Sequence, residues 1–317
     1  MLRIILIGYG KLAEGLINGI LNTDHKIVGF VSWDRRKKMS RLEQVLFPDK
    51  LEKLRKKANI PVLDVRSVNS YDFVTKATRL EPDIILIGSW GEILKRHAID
   101  VPIRYCINCH PSYLPYHRGS NPYASALMAG EEYTGVTFHE VDENIDTGRI
   151  IKQEKLLIYI NDNGETIRDK CSKLASEMIP GLLFDIENNR VKLQVQNEAI
   201  ASYYRRINIT DGAINWDNSA LEIHNQIRGL YPWIPSYTLH KSKMLLINKS
   251  TLIETDISGY ERGTIIGIVN NGILVATATR GTALFLEDIS IYGLSKLISW
   301  YYLKRSLLTG DKLINAL

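Results

Sequence analysis

"RYCINCHPSYLPYHRG", residues 104–119, admits two readings that put the chemistry on different atoms. Cys106-Ile107-Asn108-Cys109-His110 spells the C-x-x-C-H of a covalent haem attachment site. The same letters place Asn108 and His110 two apart, just before a loop rich in turn residues, with Pro111, Pro115 and Gly119. "IRYCIN" has the β-branched and aromatic character of a buried strand. On a strand, side chains an odd number apart face opposite sides. Cys106 and Cys109 then cannot share a haem or a zinc ion, whereas Cys106, Asn108 and His110 share a face. The expectation is core cysteines, no haem, no metal, and chemistry at Asn108 and His110.

The neighbouring segments give this strand its context. "LRIILIG", "HKIVGFVS", "PVLDV", "PDIILIG" and "YCIN" are short apolar runs separated by helix-like stretches such as "GYGKLAEGLINGIL" and "NSYDFVTKATRL". That alternation predicts an α/β fold with a Rossmann-like, mostly parallel sheet. In such sheets ligands bind beyond the carboxyl ends of the strands, so the loops after Gly88 and Asn108 are candidate site walls. "YTGVTFHEV" and "GRIIKQEKLLIYI" read as strands flanking "DENIDT". Ile167, Cys171, Leu174, Met178, Leu182 and Ile186 follow helical spacing, with Pro180 expected to kink or break the helix. After about residue 190 the texture changes. One helix, "SALEIHNQIRGL", precedes the short strand-like runs "MLLIN", "GTIIGIV", "GILVATA" and "TALFLED", which predict a small OB-like β-barrel C-terminal domain. The organisation expected is a catalytic domain over 1–188, a linker over 189–204 and the barrel domain over 205–317.

Composition narrows the setting. Three cysteines are too few and too odd for a disulfide framework, which points to a reducing compartment. No apolar run approaches the roughly 20 residues of a membrane helix, and the opening apolar run ends at Gly8. A cytoplasmic protein without a membrane partner is expected. From Arg35 to Lys57 there are ten Lys and Arg against three acids, more net positive charge than the +5 of the whole chain. The segment reads either as a solvated face or as a surface that meets phosphates, of nucleic acid or of a nucleotide-linked substrate.

"GYGKLA" fits G-x-G-x-x-A at Gly8, Gly10 and Ala13, directly after a strand. Alone it permits an NAD(P)-dependent dehydrogenase, although any first strand-to-helix turn in such a sheet favours glycine. The stretch from Asn108 to Asp146 is richer. It brings an amide, an imidazole and a carboxylate to strand ends and loops. Such a set suits acyl transfer to an amine: N–H donors for a developing oxyanion, and a base for the amine proton. No serine or cysteine nucleophile beside a base is evident, so direct transfer between bound substrates is simpler than a covalent intermediate.

These residues carry a resemblance. "INCHPSYLPYHRGSNPY" and "GVTFHEVDENIDTGRII" resemble the folate-dependent formyltransferases, whose pattern runs Asn-x-His-Pro-Ser-Leu-Leu-Pro, Arg-Gly, Gly-Val-Thr and Asp-Thr-Gly. The resemblance implies a formyltransferase fold and a catalytic triad of Asn108, His110 and Asp146. It implies 10-formyltetrahydrofolate as co-substrate, held by Gly88, Trp90, Gly91, Ile93, Val141 and Asn144 and by the signature loop at Ser112, Leu114 and Pro115. Tyr113 stands where that loop usually has leucine. Tyr9, Gly10, Arg118 and Gly119 fall where an acceptor would bind. "ASYYRRINITDGAINWDNSALEIHNQIRGLYPWIPSY" is similar to the start of the C-terminal domain of methionyl-tRNA formyltransferases, which makes methionyl-tRNA the implied partner. A nucleotide-linked amino sugar is the alternative acceptor: "GYGKLAEG" departs from the Gly-Thr-Pro segment of the tRNA enzymes, and "RGSNPY" and "GVTFHE" look nearer to some sugar N-formyltransferases. A folate-fold binding protein without turnover is the rival of a different class. The oligomeric state is not legible.

Overall fold

Strand β1 (Arg3–Gly8) is apolar and buried from its second residue onward, and β3 (Ile84–Gly88) is buried at every position. Continuous apolar runs of this kind belong to strands covered on both faces, which is where parallel strands sit. With β2 (Lys26–Val31), β4 (Tyr105–His110), β6 (Tyr133–Glu140) and β7 (Ile150–Leu157) they form one sheet in the order β2-β1-β3-β4-β6-β7. β2, β1, β3 and β4 are mutually parallel; β6 returns antiparallel to β4 and β7 antiparallel to β6. Besides the two-residue β5 (Arg118–Gly119), the first unit carries α1 (Gly10–Leu21), α2 (Lys50–Lys57), α3 (Tyr71–Thr78) and the single turn α4 (Arg96–Ile99). The computed structural model describes residues 1–32, 49–269 and 272–315. Residues 33–48, most of the basic segment, therefore lie outside the described part.

Internal contacts divide the chain into two units. The first comprises Met1–Pro122, Tyr133–Leu157 and Arg168–Tyr204; the second comprises Tyr123–Glu132, Ile158–Ile167 and Arg205–Leu317. Helix α5 (Pro122–Met128) thus belongs almost wholly to the second unit. α6 (Gly164–Glu187) runs unbroken through Pro180. Of the kink or break expected at Pro180, the break does not occur, and Ser172 fastens the helix by donating to the Lys11 carbonyl at 2.6 Å. Residues 189–204 carry structure of their own. Gln194 exchanges two backbone hydrogen bonds with Ile150, and β8 (Tyr203–Tyr204) pairs in parallel with β5. "PVLDV" makes only an isolated bridge, Val62 to Phe30.

In the second unit, α7 (Ala220–Leu230) starts at a capping box in which Ser219 and Glu222 satisfy each other's backbone N–H. Six strands follow: β9 (Ser236–His240), β10 (Lys243–Glu254), β11 (Ile265–Val269), β12 (Gly272–Ala276), β13 (Thr282–Ile291) and, after helix α8 (Lys296–Ser306), β14 (Leu313–Ile314). They lie in the order β11-β12-β13-β10-β9-β14. Ile265 N donates to the Asp311 carbonyl and Leu313 N to the Gly263 carbonyl, so the last strand returns to the first and the sheet curls into a small barrel. Its interior holds Ile223, Ile227, Leu245, Ile247, Leu284 and Leu286. Helix α8 is an addition to the strand-like runs that the sequence shows there. Among the described residues no helix is long and apolar enough to cross a membrane.

Candidate active site

Strand pairing assembles the site. Asn108 and His110 lie two apart on β4 and therefore share a face. Asn108 is the register partner of His139 on β6, and His110 of Thr137. Directly opposed residues in an antiparallel pair project on the same side. Four polar side chains of two strands thus stand together before any loop is added.

The loop from Val141 to Gly148 supplies the carboxylate. Asp142 closes it by accepting from Asn144 N at 3.0 Å and from Thr147 Oγ1 at 2.7 Å. Gly148 lies so close to the strand that a Cβ there would fall 1.8 Å from the Glu140 carbonyl oxygen, so the chain can double back only with glycine at that position. Asp146 takes a left-handed φ of 56°. Its carboxylate meets Asn108 Nδ2 at 3.2 Å, His110 Nδ1 at 3.5 Å, His139 Nε2 at 3.5 Å and Gly119 N at 2.9 Å.

The second nitrogen of each imidazole determines its tautomer. His110 Nε2 lies 2.9 Å from the His117 carbonyl and His139 Nδ1 lies 2.7 Å from the Glu140 carbonyl. A carbonyl only accepts, so both nitrogens carry hydrogen. In the neutral rings the bare nitrogens, His110 Nδ1 and His139 Nε2, then face Asp146. Asn108 Nδ2 donates to His139 Nε2 at 3.2 Å, which fits a bare nitrogen there. A proton entering the cluster therefore lands beside the carboxylate. Burial pushes His110 down from its usual value, and the pull of Asp146 recovers only part of this. Burial alone would raise the Asp146 carboxyl, but His110, His139 and the Gly119 N–H together outweigh it and hold the carboxyl below the usual carboxylate range. At neutral pH the Asp146 carboxylate lies beside a neutral His110, poised to take up one proton.

Residues 2–183 match the formyl transferase model and residues 206–300 the formyl transferase C-terminal domain model. The chain belongs to the formyl transferase family. A methionyl-tRNA formyltransferase of Desulforamulus reducens is 30% identical over 92% of this chain and 91% of that protein. One of Bacillus subtilis is 31% identical, again covering 92% and 91%. Among solved structures, a Helicobacter canadensis N-formyltransferase bound to folinic acid and dTDP-3-aminofucose aligns with a TM-score of 0.71 at 23% identity, covering 92% of this chain and 100% of that one. A Clostridium thermocellum methionyl-tRNA formyltransferase aligns with a TM-score of 0.56 at 15% identity, covering 92% and 99%. These likenesses confirm the formyltransferase fold, and the chain is accordingly an enzyme that transfers formyl groups.

Around the cluster of this formyltransferase, three strand ends lie side by side. β1 pairs with β3 at Gly8 and Gly88, and Gly88 pairs with Cys109 of β4. Tyr9 and Gly10 therefore adjoin Gly88, with Tyr9 N donating to the Gly88 carbonyl at 3.3 Å. A Cβ on Gly8 would fall 2.2 Å from the Gly88 oxygen, so the glycine turn follows from the approach of β1 to β3 and needs no dinucleotide. The Gly88–Ile93 loop continues from there. Trp90 leans on the core shared with Val141, Ile93 is largely exposed, and Gly91 faces open space. Asn69 fastens the loop, donating to the Ile93 carbonyl and accepting from Lys95 N. Asn144 is exposed, in the same loop as Asp146.

The signature loop is turned inward. Ser112 is fully buried and donates to the Tyr116 carbonyl at 2.6 Å, and Leu114 is 1% exposed. Thr137 Oγ1 accepts from Leu114 N and donates to the Ser112 carbonyl, so β6 holds the loop that precedes Pro115. Arg118 has no exposed surface at all, and its guanidinium is bound to Gln196, Glu198 and Tyr203. Gly119 contributes its backbone N–H. Cys106 packs in the core with Ile5 and Ile85, and Cys109 lies on the opposite face near Cys171; all three are buried free thiols, pushed upward by burial. Two residues at the site escaped the sequence reading. His139 was visible as the histidine of "GVTFHE", but its relevance depends on β6 pairing with β4. Gln196 lies in the stretch over 189–204 that reads as a linker.

Proposed function

We propose that this formyltransferase moves a formyl group from 10-formyltetrahydrofolate to the α-amine of methionyl-tRNA, in the cytoplasm. The observation that carries the chemistry is the Asp146 carboxylate with two imidazoles and an amide converging on it. The neutral amine attacks the formyl carbon; a C–N bond forms and the carbonyl electron pair moves to oxygen. Asn108 Nδ2, whose resting hydrogen bonds are long, donates to that oxyanion. The amine's proton passes to His110 Nδ1, directly or through one water, and the imidazolium stays paired with Asp146. Collapse of the tetrahedral species breaks the bond to N10 of the folate, which leaves with a proton. The pterin would lie along the Gly88–Ile93 loop and the Val141–Asn144 turn, and the acceptor near Tyr9, Gly10 and Gly119.

The Desulforamulus reducens and Bacillus subtilis relatives, methionyl-tRNA formyltransferases by name at 30% and 31% identity, support the tRNA acceptor. The described part of the basic segment adds to that support: on α2, Lys50, Lys53, Lys56 and Lys57 are exposed. A nucleotide-linked amino sugar is the second reading, favoured by the "GVTFHE" and "RGSNPY" stretches. The test offers 10-formyltetrahydrofolate with initiator methionyl-tRNA and, separately, with nucleotide-linked 4-amino sugars, and looks for formylated product by mass. Formyl-methionyl-tRNA supports the first reading. A formylated sugar alone moves the enzyme to glycan synthesis, and no product from any acceptor removes the assignment.

A further inference from the structure

Gln196 is 5% exposed and uses every hydrogen-bonding atom of its amide. Its Nε2 donates to the Asp146 carbonyl at 2.8 Å and to the Gly148 carbonyl at 2.7 Å. Its Oε1 accepts from Arg118 Nη2 at 2.8 Å and Nε at 3.1 Å. A guanidinium only donates, so the amide has one workable orientation: oxygen toward Arg118, nitrogen toward the two carbonyls. Arg118 is held in turn by Glu198 at 2.7 and 2.8 Å and by Tyr203, whose ring lies 5.1 Å below the guanidinium. The next residue along the chain, Gly119, donates its N–H to Asp146 Oδ2 at 2.9 Å. Asp146 is thus gripped at its carboxylate by Gly119 and at its backbone by the side chain of Arg118 acting through Gln196. Residues far apart in sequence close one ring around the carboxylate that pairs with His110.

We infer that Gln196, oriented by Arg118, is a positioning residue that fixes the Asp146 backbone so that its carboxylate faces both imidazoles. This rests on the reading of Asp146 given under Proposed function, and it assigns Arg118 to the support of the site rather than to acceptor binding. The grip matters because Asp146 holds a left-handed φ of 56°, and misplacement by about 1 Å is worth up to ~10²-fold in rate.

The test uses the full chain with Gln196→Glu, which sets an acceptor against two carbonyls, and Gln196→Met, which removes the hydrogen bonds at similar size and serves if the first variant fails to fold. The expected result is a kcat at least ~10-fold lower, with KM for both substrates within about twofold of wild type. Combined with Asp146→Asn, the Gln196 change should add nothing, because residues acting through one another are not additive. Hydrogen exchange at residues 117–120 gives a readout independent of turnover. Protection of the Gly119 amide should fall in the Gln196 variants and in Asp146→Asn. Near-wild-type kcat in both Gln196 variants, multiplying losses in the double variant, or unchanged Gly119 protection would each overturn the inference. Near-normal turnover of Asp146→Asn alone would instead overturn the reading on which it rests.

Discussion

His240 Nε2 and Asp311 Oδ2, in the barrel unit, lie 2.9 Å apart, closer than the 3.5 Å between His110 Nδ1 and Asp146 Oδ2. Both histidines are buried. The shorter pair nevertheless has the marks of scaffolding. Asp311 also accepts from Leu308 N and faces Lys241, and the backbone next to it pairs β14 with β9 at Leu313 and His240. Its partners hold a turn and a strand end in place. Asp146 gathers an amide from β4, imidazoles from β4 and β6 and an N–H from β5, groups of different kinds brought in by different strands. An Asp–His distance therefore does not identify a reacting carboxylate. What sets Asp146 apart is that an amide and two imidazoles converge on its one carboxylate.

The two pairs can be separated experimentally. Asp146→Asn and His110→Ala should each keep the wild-type circular dichroism spectrum and lose at least ~10²-fold in formyl transfer. Asp311→Asn should leave the rate within about twofold while lowering stability by about 1–3 kcal/mol, read from urea midpoints. A slow Asp311 variant or a fast Asp146 variant would erase the contrast. His139→Ala is expected to cost about 10-fold, less than His110→Ala, because its Nε2 already accepts from Asn108 at rest. An effect as large as that of His110 would make the two imidazoles equal partners.

Smaller effects follow from protonation. Burial pushes His110 down from 6.5, so the acid limb of kcat/KM should fall below about pH 6.5. An inflection above pH 7 would contradict a neutral His110. His117 is pushed down to about 4 by burial and by the charge of His110. The unfolded chain binds a proton there near pH 6.5, whereas the folded chain does not until about pH 4. This contribution to stability is complete above about pH 6.5 and declines as the pH falls toward 4. Urea midpoints should drop between pH 7.5 and 5, and His117→Asn should shallow that slope; a midpoint that rises on acidification would refute it.

Much of this was legible in the sequence because the signals were local. Apolar runs alternating with helical spacing gave the parallel sheet. Strand alternation set Cys106 and Cys109 on opposite faces and Asn108 with His110 on one. The family pattern added Asp146, which periodicity alone leaves as a turn residue. The missing pieces are all long-range. His139 becomes a neighbour of Asn108 only through the β4–β6 register, which no stretch of either strand specifies by itself. Gln196 is separated from Asp146 by α6 and sits in a polar, turn-rich segment that reads as a connection. Arg118 read as a site residue from its place beside the signature loop, yet its complete burial depends on Glu198, Gln196 and Tyr203 arriving from that same segment. The unbroken α6 shows the same limit: Pro180 is a local argument for a break, and the packing of the helix overrides it.

The most direct test of the account is single-turnover formyl transfer by wild type and Asp146→Asn, with 10-formyltetrahydrofolate and methionyl-tRNA, quantified by product mass. The expected result is formyl-methionyl-tRNA from the wild type and a rate at least ~10²-fold lower from a folded Asp146→Asn. Equal rates from the two proteins would contradict the central claim that the buried Asp146 cluster performs the transfer.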